Sequence, residues 1–234
     1  VSALDSLRLT AKLIPIIAPF IAKGDIRYYL NGINVRPHKS GGAIICATNG
    51  HALGAIHDRN AVCSEEVNLR LDARLIQACA AGIANDRQII AIGGRLVLIE
   101  NGSTEVYIQA GKPELGGQYP RYERVVPKSS ALHPGMLGSY SLKLIALVDR
   151  AAAAAGKISK SRMSSSDGVQ FFNADGSGGG SAVARIPTLR DFVAVIMPMR
   201  CDAVSASPSW VNELQSKDDL AGMSTSPSAA EVPA

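Results

Sequence analysis

Apolar positions recur along this chain in two rhythms, one helical and one alternating. Leu7, Leu9, Leu13, Ile14, Ile17, Phe20 and Ile21 fall at helical spacing, with Lys12 and Lys23 off that face. Thr10 stands where a cap belongs and Gly24 where a helix would stop. Pro15 and Pro19 each remove a donor inside this stretch, so it predicts a short or kinked helix. Tyr28, Tyr29 and Leu30 form a β-prone run ending at Asn31-Gly32, a dipeptide suited to a hairpin turn. A second strand, Ala43–Ala47, ends at Asn49-Gly50, and Leu53, Ala55 and Ile56 resume the apolar run. The local pattern is an antiparallel meander. Asn60–Leu71 reads as a loop and an extended strand, and Leu71–Ala84 as a second helix with Leu75, Ile76, Cys79 and Ile83 on one face. Strands follow at Gln88–Ile92, Arg95–Glu100 and Glu105–Ala110, the last two joined by a turn at Asn101-Gly102.

Lys112–Pro134 is rich in Gly and Pro and reads as a connector. Ser139 or Ser141 caps a third helix running to about Ala155, where Gly156 is expected to stop it. Its alanines, Ala151 to Ala155, favour helix and permit close packing. Strands are expected near Val169–Phe172, Ala182–Ile186 and Phe192–Met197. The run Gly176-Ser177-Gly178-Gly179-Gly180 lacks the lysine and setting of a phosphate loop, and reads as a flexible hairpin loop. Residues 201–234, rich in Ser, Ala and Pro, read as a disordered acidic tail with a turn of helix at Trp210–Leu214.

The 234 residues suffice for a real core, and 47% hydrophobic with 5% aromatic residues fits an aliphatic soluble protein. Cys46, Cys63, Cys79 and Cys201 lie far apart without ligand spacing. They read as reduced thiols of a cytoplasmic protein, with neither disulfides nor a metal site expected. The apolar run Leu13–Ile21 is short and holds two prolines, so no membrane span is expected. Val1–Arg8 lacks the basic start and apolar core of a secretory leader. The tail carries −4 of a total of +4, which leaves the body at +8, a modest pointer to a polyanion. His38, His51, His57 and His133 are scattered, with no Ser-His-Asp or Cys-His arrangement, so neither catalysis nor a cofactor is expected.

Three stretches carry more than pattern. Arg27-Tyr28-Tyr29-Leu30-Asn31-Gly32 followed by Ala47-Thr48-Asn49-Gly50-His51-Ala52-Leu53 resembles the middle domain of the bacterial DNA polymerase III β subunit, the sliding clamp. Tyr119-Pro120-Arg121-Tyr122-Glu123-Arg124-Val125-Val126-Pro127 resembles that family's interdomain segment, and Val193–Arg200 its carboxyl end. The resemblance covers about Thr10 to Arg200 and implies an α+β DNA-clamp fold of repeated helix-plus-antiparallel-sheet units. It implies one full clamp domain at 1–111, a connector at 112–134, a half domain at 135–200 and the tail at 201–234. It also implies a cavity for a partner's short peptide around Leu30, Thr48, Gly50, His51, Leu53, Pro120, Arg124, Val125, Val195, Ile196, Met197, Pro198, Met199 and Arg200. Methionines would give such a cavity a soft wall and prolines a stiff rim. Ala52 and Cys201 depart from the family, which has arginine and leucine there.

The resemblance further implies that Arg27, Tyr28 and Tyr29 touch DNA, by phosphate pairing and base stacking. Lys12, Lys23, Arg74, Lys143, Arg150 and Lys157, on the predicted helices, would line a basic channel. The expected function is a clamp-like replication accessory protein, a homo-oligomer holding double-stranded DNA and tethering a polymerase or another protein with a clamp motif. The rival is a clamp-like binding module that keeps the cavity without encircling DNA and acts as a decoy or regulator of replication proteins.

Overall fold

Prolines break the first apolar stretch into short pieces. The computed structural model describes residues 4, 6–81, 86–127, 129–134, 138–159, 168–174 and 179–200. In it, β1 (Arg8–Thr10) leads into a 3-10 turn at Ala11–Leu13, a single α-turn, α1 (Ile14–Ile17), and another 3-10 turn at Ala18–Phe20. Pro15 and Pro19 sit at the starts of their turns, where a missing N–H is tolerated. Leu9, placed on the helix by its spacing, belongs to β1. Thr10 makes no cap; its N–H and hydroxyl both donate to the buried Asp58 carboxylate, at 2.7 and 2.8 Å.

Tyr28–Leu30 is a 3-10 turn, not the expected strand. The Asn31 amide accepts from the Asp25 N–H and donates to the Asp25 carbonyl, at 2.9 and 2.8 Å, closing the loop locally. Nor is Asn31-Gly32 a hairpin turn. Gly32 lies against the next strand, where a Cβ would come 2.2 Å from the Leu69 carbonyl oxygen. The meander starts later, with β2 (Ile33–Pro37), β3 (Ala43–Thr48) and β4 (Ala52–Asp58), and β5 (Val67–Leu69) pairs back onto β2.

Asp72 caps α2 (Ala73–Ala81) by accepting the Leu75 N–H at 2.6 Å. Leu75 and Cys79 are buried on its inner face, while the expected Ile83 lies outside the described residues. Then come β6 (Arg87–Ile92), β7 (Arg95–Glu100) and β8 (Thr104–Ile108), with Asn101 and Gly102 at positive φ in the turn between the last two. The connector holds 3-10 turns at Tyr122–Arg124 and Ser129–Ala131, and a short strand, β9 (His133–Pro134), that composition did not reveal. α3 (Leu142–Ser159) runs past Gly156, because buried Ala151 and Ala155 hold it to the core and outweigh one glycine. The chain continues as β10 (Gln170–Asn173), β11 (Ala182–Arg185) and β12 (Phe192–Ile196). The tail, with Cys201 and Trp210–Leu214, and the first part of the glycine run, 176–178, lie outside the described residues. The described residues up to Met199 form one compact unit.

The fold is α+β, with two antiparallel sheets. One is 4-stranded, in the order β1-β6-β7-β8; the other is 8-stranded, in the order β5-β2-β3-β4-β12-β11-β10-β9. The second sheet crosses the connector, because β12 zips onto β4 with Val195 opposite Leu53 and Ile196 opposite Ala52. One face of it carries the main core, where Phe20, Leu75, Val148, Ala151, Phe192 and Ile196 pack together. Gly54 of β4 makes room there: a Cβ would meet the Phe20 ring at 2.5 Å. The other face carries a smaller cluster of Leu30, Cys46, Leu53, Tyr119, Tyr122 and Val195, covered by the connector. Among the described residues no helix is long and apolar enough to cross a membrane.

Candidate functional site

Where β3 turns into β4, side chains tie the backbone into one shape. The Asn49 carboxamide oxygen accepts from the His51 and Ala52 N–H groups, at 3.0 and 2.9 Å. The Thr48 hydroxyl donates to the Ala52 carbonyl at 2.8 Å and accepts from the Gly50 N–H at 3.1 Å. Gly50 has φ +86°, and a Cβ on it would come 2.9 Å from the Arg27 guanidinium. Arg27 therefore lies over this turn. Its guanidinium donates to Asp25 at 3.0 and 2.8 Å. Those bonds hold the Asp25 carboxyl down to about 2 and raise the Arg27 pKa.

The connector supplies the opposite wall. The Thr48 N–H donates to the buried Tyr119 hydroxyl at 3.0 Å. Burial pushes the Tyr119 phenol far up and that of Tyr122 up to about 12; Tyr122, with Pro120 and Val125, faces the cavity, while Tyr119 lies buried behind it. The last strand closes the third side, where the Met197 N–H donates to the His51 carbonyl at 3.0 Å. Between these elements opens a cavity of about 230 Å³. Leu30, Thr48, Gly50, His51, Leu53, Pro120, Val125, Val195 and Met197 line it, all of them expected. Ala52 lines it where the family has arginine, and Arg27 and Tyr122 line it as well, though the motifs had not placed those two there. For Tyr122 the signal was available, since a 3-10 turn sets residues three apart, here Tyr122 and Val125, on one side.

Other expected members lie elsewhere. Ile196 is buried in the main core, because strand alternation turns it to the helix-covered face. Arg124 is exposed and joins Tyr29 in a separate groove of about 350 Å³. Pro198, Met199 and Arg200 do not line the cavity; Met199 is 47% exposed, and its N–H donates to the Ser139 carbonyl at 2.9 Å. Tyr28 is 50% exposed and meets Tyr29 edge-on at 5.8 Å.

A larger groove, about 490 Å³, adjoins the cavity along the same sheet face and shares Tyr122 with it. Ile44, Ala55, Val126 and Val193 are among its apolar residues, and His38 and His57 also line it, their rings tilted at 52° with centroids 4.4 Å apart. On the helices and beside them, Lys12, Lys23, Arg74, Lys143, Arg150 and Lys157 are exposed, and none forms an ion pair with a described residue. Burial pushes the Cys46 thiol far up and that of Cys79 up to about 12, which leaves both inert as nucleophiles. Among the described residues no cluster of three or more His, Cys, Asp or Glu could hold a metal ion. What the site offers is a fixed apolar cleft, rimmed by one anchored cation and a soft methionine.

No protein-family model matches the sequence, and sequence comparison with curated proteins gives no significant match. Comparison of structures does. The DNA polymerase III subunit beta from Pseudomonas aeruginosa aligns with a TM-score of 0.58 at 17% identity, over 86% of this chain and 68% of its own. The chain has the sliding-clamp fold. A sliding clamp from Bartonella birtlesii, bound to griselimycin, gives 0.58 at 18% identity over the same 86% and 68%. The subunit from Borrelia burgdorferi, in complex with a natural product, gives 0.54 at 14% over 86% and 64%. The chain spans 64% to 68% of the length of these three clamp chains.

Proposed function

We propose that this protein is a sliding-clamp-like accessory factor of DNA replication in the cytoplasm, without enzymatic activity. It binds double-stranded DNA and tethers a polymerase, or another protein with a clamp-type motif, through the cavity at Leu53, Val195 and Met197. One observation carries the reading: on a clamp fold, segments far apart in sequence meet at a single apolar cleft, where the Met197 N–H bonds to the His51 carbonyl. Apolar anchors entering such a desolvated pocket supply most of a peptide's affinity. Fluorescence anisotropy with a labelled peptide bearing adjacent leucine and phenylalanine anchors tests it. Saturable binding that Met197→Ala weakens supports the reading, and no binding by the folded protein removes it.

The exposed basic side chains on and beside the helices support DNA binding through phosphates, which is insensitive to sequence and steeply dependent on salt. Arg27 and the half-exposed Tyr28 are the proposed contacts to an unpaired strand, through phosphate and stacking respectively. Residues 1–111 would then act as a full domain and 135–200 as half of another, and enclosing DNA would require a homo-oligomer. A non-encircling module, acting as a decoy or regulator of replication proteins, is the second reading, supported by the −4 carried by residues 201–234, which opposes close contact with DNA. Light scattering separates the two: a discrete oligomer at micromolar concentration favours the clamp, and a monomer the module.

A further inference from the structure

On the outer face of the β4–β12 pair, side chains stand in rungs two residues apart. Leu53 and Val195 make the first rung, inside the cavity described above, and Ala55 and Val193 make the second. His57, whose N–H donates to the Asp191 carbonyl at 3.1 Å, makes the third. At about 3.3 Å per residue, Leu53 to His57 spans roughly 13 Å, the reach of four extended residues. The larger groove covers the second and third rungs, and the Tyr122 ring walls both spaces. Cavity and groove thus form one trough along the strands.

The charges of the groove are unevenly matched. Glu123 pairs with Arg36, which also pairs with Glu66 at 2.9 Å. Asp191 is held by Arg59 through bonds of 2.9 and 2.6 Å, which lower its pKa. Each groove acid thus has a cationic partner, Asp191 its own and Glu123 one shared with Glu66. Lys39, exposed beside the His38 and His57 pair, forms no ion pair with a described residue. The apolar floor ends at an unmatched cation.

We propose that the groove seats the acidic flank of the same partner segment whose apolar anchor fills the first cavity. One apolar side chain lies over Ala55 and Val193, and an Asp or Glu side chain reaches Lys39. This rests on the peptide-cavity reading and extends it to a longer, directional motif. The chain then prefers partners in which hydrophobic anchors are followed, along the extended segment, by a carboxylate.

The test compares two labelled peptides in anisotropy titrations: one with the apolar anchors alone, one extended by an apolar residue and a pair of glutamates at either end. The extended peptide is expected to bind about tenfold tighter to the wild-type protein, with the gain falling as salt rises. Lys39→Glu is expected to remove the salt-dependent part of that gain and leave the short peptide unaffected, since Lys39 lies outside the first cavity. An extension that adds nothing at either end, or a gain equally salt-dependent in Lys39→Glu, overturns the groove while the cavity stands. If neither peptide binds, both readings fall together. Melting curves of Lys39→Glu confirm that the exposed substitution leaves the fold intact.

Discussion

Along β12, Ala194 and Ile196 turn to the helices, Val195 turns to the connector, and Met197 beyond the strand's end lies 41% exposed. The same alternation runs through β4, with Ala52 and Ile56 in the main core and Leu53 and Ala55 in the smaller cluster. Both faces are apolar, but they are finished differently. On the helix side Phe20 fills the space over Gly54 and meets Phe192 at 6.2 Å, leaving that side closed. On the other side the connector lays Tyr119 and Tyr122 across the strands and leaves gaps beside them. Burying apolar surface on both faces is ordinary for a covered sheet, and the incomplete cover is what creates a place for a ligand.

If the faces divide the work this way, substitutions should separate stability from recognition. The largest effect is expected for Phe20→Ala, which empties the closed face and should cost about 3–5 kcal/mol of unfolding free energy in urea. Peptide affinity of the fraction that stays folded should be unchanged; a specific loss of affinity at full folding would break the division. Next, Met197→Ala on the open face should weaken peptide binding about tenfold, which is about 1.4 kcal/mol, with less than about 0.5 kcal/mol lost in stability. A melting shift as large as that of Phe20→Ala would show Met197 to be core. Gly50→Ala sharpens the comparison, because it forces a side chain into φ +86° and against Arg27. It should cost about 1 kcal/mol and also lower affinity, joining the two effects at the rim.

The smallest effect is acid. Asp25 and Asp191 are depressed below their ordinary 3.8, and Glu66 below 4.5. At Asp25 and Asp191 the leading cause is a hydrogen bond from Arg27 or Arg59. At Glu66 burial pushes upward, and bonds from Arg36 and Asn34 outweigh it. Depressed carboxylates stabilise the fold fully above those ordinary values and lose that contribution as pH falls through the folded ones, for Asp25 down to about 2. Melting temperature should be flat above about pH 5 and decline below it, and Asp25→Asn should remove part of the decline. Since Asp25 is solvent-screened, a steep loss tied to it would contradict the geometry.

Much of the fold was legible because apolar alternation, Asn-Gly turns and alanine-rich spacing act locally. The strands at 43–48, 52–58, 87–92 and 95–100 follow from such signals. Failures came where distant groups decide. Tyr28–Leu30 has the composition of a strand, yet the Asn31–Asp25 bonds hold it as a 3-10 turn. Thr10 is chemically a cap, but Asp58 claims it from the other sheet. At the site, the ordered motifs found most of the lining, whereas Ile196 required the strand register to be known. Arg27 required knowing that Gly50 leaves a hole above the turn.

The Tyr119 hydroxyl grips the Thr48 amide, and Met197 grips His51. Each wall of the cleft is thereby bolted to its neighbour before anything arrives, so little ordering entropy is left for an incoming segment to lose. The Thr48 and Met197 amides should accordingly exchange slowly with solvent deuterium in the empty protein, and scarcely more slowly once it is filled.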